Sequence, residues 1–452
     1  MLKNQANIKF SRLSIIVAAL LLLLVSITFF ACSQNGDNHV DTSYVTESQP
    51  TGMKSYDGYT LEHIDVLSRH NIRSPLTGAG STLDKLTPHQ WFDWTGKSSE
   101  LSLQGGELET MMGQYFRKYL EKLNYIPENW IPQGDEALFY ANSYQRTIAT
   151  ARYFSAGMLP VANVDVVHKY GLNEQDGTFL PLQTYMNDKL KAQIMKEIEA
   201  MGGDKGLNGI LENLSEEFKT LENALDFKDS DYAKEKGISS FPLNDLQINI
   251  EAGDELGCSG SLKLGNTASD AFKLQYYEEE DDTKAAFGKK LTYDQWQQIG
   301  KIADVYEKVL FGSHTAAINA AHPMLQELMK DMNNPNRKFT FLCGHDSTIL
   351  SVLTALGVSE YELPNAISKL TPIGVKLVVE KWKNANGEEF ASLSLVYLSV
   401  DQLRHRYELS DYPPCEYQLS FDGLEKNSDG LYKWSDVQNR FAERIAEYDK
   451  YK

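Results

Sequence analysis

The chain has 452 residues, with 44 lysines and arginines against 62 aspartates and glutamates, for a formal net charge of −18. An acidic surface of this kind repels phosphate backbones and excludes nucleic acid as a partner. With 42% hydrophobic and 23% charged residues, the composition is that of a globular protein, long enough for one large elaborated domain or for two.

Residues 1–31 read as a signal peptide. Lys3, Lys9 and Arg12 precede the apolar run 13–31, a positive n-region followed by an apolar h-region. Cys32, immediately after it, is the expected lipidation site of a bacterial lipoprotein. That implies a membrane anchor and a place in the cell envelope, periplasmic or on the outer membrane. The alternative is a signal anchor, since an apolar run of that length can just span a bilayer. Residues 32–55 are polar and aperiodic and are expected to be a flexible tether. With Cys32 lipidated, Cys258, Cys343 and Cys415 remain, enough for at most one disulfide and no disulfide framework.

In chain order, LEHIDVL (61–67) reads as a strand entering the core. A loop carrying Gly78, Gly80, Pro88, Trp91 and Trp94 follows; the tryptophans suit core packing or a sugar-stacking platform. Leu108, Met111, Met112, Tyr115, Phe116 and Tyr119 recur at the spacing of an amphipathic helix. Residues 137–141 predict a short strand leading into a helix capped at Ser143. Between about 171 and 299, glycine clusters and polar helical patterns predict a mostly helical cap. Residues 339–343 predict a buried strand, broken at Gly344 and followed by a helix that Ser347 can cap. Strands followed by helices point to an α/β sheet, here from 56–170 and 300–452.

Three strand ends carry reactive side chains: Arg69, His70 and Arg73 in RHNIR, Arg146 in SYQRT, and His345 with Asp346 in GHDS. Each alone has a plain explanation as a solvated loop, a surface ion pair or a helix cap. If the strands share a sheet, their ends converge on the crevice where such folds bind ligands. That crevice holds three guanidiniums, two imidazoles, one carboxyl and two helix N-termini, a set suited to a phosphate ester. Neighbouring cations keep His70 neutral and nucleophilic. Attack on phosphorus then gives a phosphohistidine. The arginines and His345 stabilise the transferring group, and Asp346 protonates the leaving alkoxide before activating water.

These residues resemble the histidine acid phosphatase family (histidine phosphatase superfamily, branch two), with its R-H-G-x-R-x-P loop and later H-D pair. The resemblance runs from about residue 60 through most of the chain. It implies a three-layer α/β/α domain around a mixed sheet, a helical cap, and chemistry with no metal and no cofactor. It also implies that His70 is the nucleophile and Asp346 the proton donor, with Arg69, Arg73, Arg146 and His345 binding phosphate. Asn71 and Leu76 stand where the family usually has glycine and often threonine. SRHNIRSPL, with TPHQWFDW, GGELETMMGQY, ASDAFKLQYYE and LTPIGVKL, resembles the glucose-1-phosphatase subgroup rather than the phytases. The expected substrates are therefore sugar phosphates such as glucose 1-phosphate. The alternatives are a phytase-type inositol polyphosphate phosphatase or, in another class, a non-catalytic surface lipoprotein that captures phosphorylated sugars. The subgroup tends to carry a C-terminal cysteine pair, and SFDGLEKNSDGLYKW has none. Glu278, in the cap, is expected to face the crevice and repel multiply phosphorylated substrates; otherwise 278–282 is a solvated acidic run.

Overall fold

The computed structural model describes residues 47–77 and 80–452; the expected signal peptide, Cys32 and the expected tether as far as residue 46 lie outside the described residues. The rest of the expected tether is held against the body. Asn365 Nδ2 donates to Ser48 O (2.7 Å), Met53 N–H to the Tyr115 hydroxyl (2.6 Å) and Lys54 N–H to Glu416 Oε2 (2.9 Å).

Strand β1 (Tyr59–Arg69) is followed by helix α1 (Leu103–Lys122), β2 (Ala137–Ala141) and α2 (Gln145–Met158). The cap contributes helices Asp188–Ala200, Leu207–Glu212, Ser215–Leu225 and Asp231–Lys236, a ribbon pairing Gln247–Asn249 with Gly257–Ser259, and the long helix α3 (Ser261–Glu278). Helices α4 (Tyr293–Phe311) and α5 (His314–Met332) return the chain to the sheet. Then come β3 (Phe339–Gly344), α6 (Asp346–Leu356), β4 (Lys376–Asn384), β5 (Glu389–Tyr397), β6 (Cys415–Gln418), β7 (Tyr432–Lys433) and α7 (Trp434–Asp449).

The sheet runs β2-β3-β1-β4-β5-β6, with β7 also on β5. Strands β2, β3 and β1 are parallel, and the remaining pairings are antiparallel. This is a mixed sheet of the α/β class. Alternation along β3 assigns the two faces. Phe341 stacks on Phe154 of α2 (4.1 Å between rings), whereas Leu342 joins the core built with Ile318, Leu325, Ile349, Val352 and Phe441 from α5, α6 and α7.

Both expected serine caps are corrected. The N-cap of α2 is Tyr144, while Ser143 Oγ instead receives the Tyr170 N–H (3.2 Å). The N-cap of α6 is His345, whose own N–H donates to Thr348 Oγ1 (3.1 Å). In each case the extended residue that turns the strand into the helix lies nearer or farther than the serine, and capping follows that backbone position rather than residue type. Cys258, Cys343 and Cys415 are buried free thiols.

Candidate active site

Parallel register brings the three reactive segments together. Arg69 lies beside Gly344 and Ala141 beside Cys343, so β1, β3 and β2 end side by side. Backbone bonds continue the alignment past the strands: His70 N–H donates to Gly344 O (3.1 Å) and Asn142 N–H to Cys343 O (2.9 Å). His70, His345, Arg69 and Arg73 are all buried.

His70 Nδ1 is 2.9 Å from Asn71 O. A carbonyl only accepts, so the proton sits on Nδ1 and Nε2 keeps its lone pair. The His345 ring lies edge-on, with centroids 5.6 Å apart. Burial first, then Arg146, Arg73, His345 and Arg69, hold His70 well below its ordinary range. His345 is likewise held down by burial and Arg146, against the pull of Asp346. Asn142 offers its Oδ1 to the Ser143 N–H (2.8 Å) and places Nδ2 2.7 Å from His345 Nε2.

Each arginine is held by its own neighbours. Arg69 Nη2 is 2.8 Å from Asp346 Oδ2, and Nη1 donates to Thr371 O. Arg73 Nη2 is 3.1 Å from Asp270 Oδ2 on cap helix α3. Arg146 lies over the Tyr144 ring, with Nη2 3.5 Å from His345 Nδ1. The Nε–H of all three is buried and without an acceptor among the described residues. Burial and Arg73 lower the Arg146 guanidinium to about 10. For Asp346, burial is the largest influence and works upward, but Arg69, His345, the Ser347 N–H and Arg73 together outweigh it and hold the carboxyl below its usual range. Burial and then Asp346 push the neighbouring Glu307 upward. The cluster therefore pairs three guanidiniums with few fixed anions and two uncharged imidazoles, which favours an incoming dianion.

Glu278 bonds to none of this group among the described residues. Its Oε2 accepts from Ser102 Oγ (2.9 Å), and the charges acting on it are Arg406 and Glu107 rather than Arg69, Arg73 or Arg146. The acidic run after it is clamped: Arg404 binds Asp282 Oδ1 (2.7 Å) and the carbonyls of Glu279 and Glu280, and Arg406 reaches Glu280 (2.5 Å). Trp91 packs edge-on against Phe272 and Phe287, donating to Leu83 O (3.3 Å). With Phe92 and Trp94 it walls a cavity of about 530 Å³ beside Ser74 and Pro75. Sequence reasoning missed Asp270, Thr371, Glu307 and Asn142. Two of them lay in stretches that carry the resemblance, Asp270 in ASDAFKLQYYE and Thr371 in LTPIGVKL, where nothing local marks them as partners of the arginines.

The match to a family model decides the relationship: residues 60–397 fit the histidine phosphatase superfamily (branch 2). The chain belongs to that superfamily. It is 34% identical to a glucose-1-phosphatase of Providencia rettgeri over 392 residues, 85% of this chain and 92% of the relative. It is 35% identical to one of Salmonella typhimurium over 396 residues, 85% and 94% of the two chains. The fold is shared with a phytase of Hafnia alvei in its apo form, at a TM-score of 0.78 and 22% identity, covering 87% of this chain and 98% of that one. The protein is a phosphatase that hydrolyses phosphomonoesters, so a purely binding role gives way to an enzymatic one.

Proposed function

We propose that this phosphatase works through a phosphohistidine on His70 and acts on sugar phosphates such as glucose 1-phosphate. The observation that carries the reading is the His70 imidazole, kept uncharged among three guanidiniums with its proton on Nδ1 and Nε2 bare. Arg69, Arg73, Arg146 and His345 hold the phosphate oxygens and neutralise charge as it shifts toward the leaving group. The P–O bond to the sugar breaks as the P–Nε2 bond forms, and the leaving alkoxide takes a proton from Asp346. Water, giving its proton back to the Asp346 carboxylate, then cleaves P–Nε2 and releases inorganic phosphate. Because free Asp346 is paired with Arg69, a phosphate that takes the guanidinium releases the carboxyl, and its pKa rises toward that of an acid.

The sugar-phosphate reading draws on the two glucose-1-phosphatase relatives. Glu278 is left out of the phosphate-binding set, because it bonds to Ser102 and the charges acting on it are Arg406 and Glu107. Acid-quenched enzyme should carry phosphate on wild type and none on His70→Ala. A panel of kcat/KM values should favour glucose 1-phosphate over inositol hexakisphosphate, and the reverse order would make the enzyme a phytase. For location, the reading is a bacterial envelope protein anchored through Cys32. Palmitate labelling should disappear in Cys32→Ala, and equal labelling of both would remove the anchor.

A further inference from the structure

Next to the reacting loop runs a line of buried polar groups that phosphate binding does not use. Asn71 Nδ2 donates to Glu109 Oε1 (2.8 Å), and Lys376 Nζ donates to the same oxygen (3.0 Å), to Gly374 O (2.9 Å) and to Ser68 Oγ (3.3 Å). The side chains of Glu109 and Lys376 are both 0% exposed. Burial pushes the Glu109 carboxyl upward, while Lys376 and Asn71 pull it back. Taking two charges out of water is expensive, and apolar residues of similar volume are often as stable or more so. Stability alone is therefore a weak reason for this pair.

What the pair reaches is the peptide that holds the reactive imidazole. All four polar groups of Asn71 are engaged. Its N–H donates to Thr150 Oγ1 (3.2 Å), its Oδ1 receives the Ile72 N–H (2.8 Å), its Nδ2 goes to Glu109, and its carbonyl receives His70 Nδ1–H (2.9 Å). Gly374 closes the other side, donating its N–H to His70 O (3.1 Å). At Gly374, φ is +70°, and a Cβ there would lie 2.7 Å from Asn71 Nδ2. Only glycine lets the amide lie where Glu109 meets it. A glycine at 71, the family's usual residue, has no amide to offer, so the device depends on this chain's departure.

We propose that Asn71, Glu109 and Lys376 are positioning residues for the nucleophile. The buried ion pair clamps the Asn71 amide, the Asn71 carbonyl keeps the proton on His70 Nδ1, and Nε2 is thereby aimed at phosphorus. This rests on His70 being the nucleophile. A misplacement near 1 Å can slow a reaction by about a hundredfold even when binding is intact.

The test separates phosphorylation rate from phosphate affinity, using rapid-quench phosphoenzyme formation from p-nitrophenyl phosphate and inhibition by inorganic phosphate. Asn71→Gly and the double variant Glu109→Leu/Lys376→Met should each form phosphoenzyme about 10–100-fold more slowly than wild type. Their phosphate inhibition constants should stay within about twofold of wild type. Glu109→Gln/Lys376→Met, which keeps a neutral acceptor for the Asn71 amide, should recover most of the rate. Two results overturn the proposal: folded Glu109→Leu/Lys376→Met phosphorylating at the wild-type rate, or rate and phosphate affinity falling together. The double variant decides the matter if Asn71→Gly does not fold. His70→Ala, run alongside, separates the two readings: if it still turns over, the nucleophile assignment has failed rather than the clamp.

Discussion

Replacing Asp346 by asparagine should tighten phosphate binding while slowing turnover. Asp346 Oδ2 lies 2.8 Å from Arg69 Nη2 and so occupies part of the fork proposed to take phosphate. A hydrogen bond to a charged group contributes about 1.5–3 kcal/mol. Because 28% of the Asp346 side chain is exposed, solvent screens the pair and the lower end applies. At about 1.4 kcal/mol per factor of ten, removing this competitor should strengthen inhibition by inorganic phosphate about tenfold. The same change deletes the proposed proton donor, so hydrolysis of an alkyl phosphate should fall by about 10²–10⁴. p-Nitrophenyl phosphate, whose leaving group needs no proton, should suffer much less. The assay is phosphate inhibition and kcat/KM for both substrates at mildly acidic pH. There wild-type Asp346 is still an anion, since Arg69, His345, the Ser347 N–H and Arg73 together outweigh the upward push of burial and hold its carboxyl below the usual range. Weaker phosphate inhibition in Asp346→Asn, with equal losses on both substrates, would refute the reasoning and make the carboxylate a support for the bound anion.

Two further outcomes follow from the buried charges. Lys376→Met alone strands Glu109 in a fully buried site and should cost about 3–5 kcal/mol in urea unfolding. A loss under about 1 kcal/mol would mean that Glu109 is already protonated in the fold. His70 and His345 are held well below 6.5 in the fold, so the unfolded chain binds their protons first as pH falls. Their penalty is absent above that ordinary value and grows below it by up to about 1.4 kcal/mol per histidine per pH unit, until the folded values are reached. Thermal melts without phosphate should therefore show a shallower acid limb in His345→Gln than in wild type, and parallel limbs would refute this.

Much of the scaffold was legible because strand and helix periods leave a local trace. The short strand appears at Ala137–Ala141 and the amphipathic helix at Leu103–Lys122, where apolar spacing alone points. The caps were misread because Ser143 and Ser347 are good capping residues at the wrong backbone position, and φ and ψ at a junction are set by how the strand is held. The tether was read too long because polar composition does not reveal that Met53 and Lys54 find partners on Tyr115 and Glu416.

The sequence by itself determined which chemistry is available. Arg69, His70, Arg73, Arg146, His345 and Asp346 stand at or just past strand ends, and parallel strands must deliver their ends to one crevice. Only the tertiary structure decided how those groups are held. Asp270 reaches Arg73 across 197 positions, and Lys376 reaches Glu109 across 267. Neither contact leaves a periodic or local signal. Asn71 shows the division most clearly: as a letter it marked a departure from glycine, and its amide acquired a role only where α1, β4 and Gly374 close around it. Hydrogen bonds and buried ion pairs depend on distances of a few ångströms, and those are set by packing rather than by order along the chain.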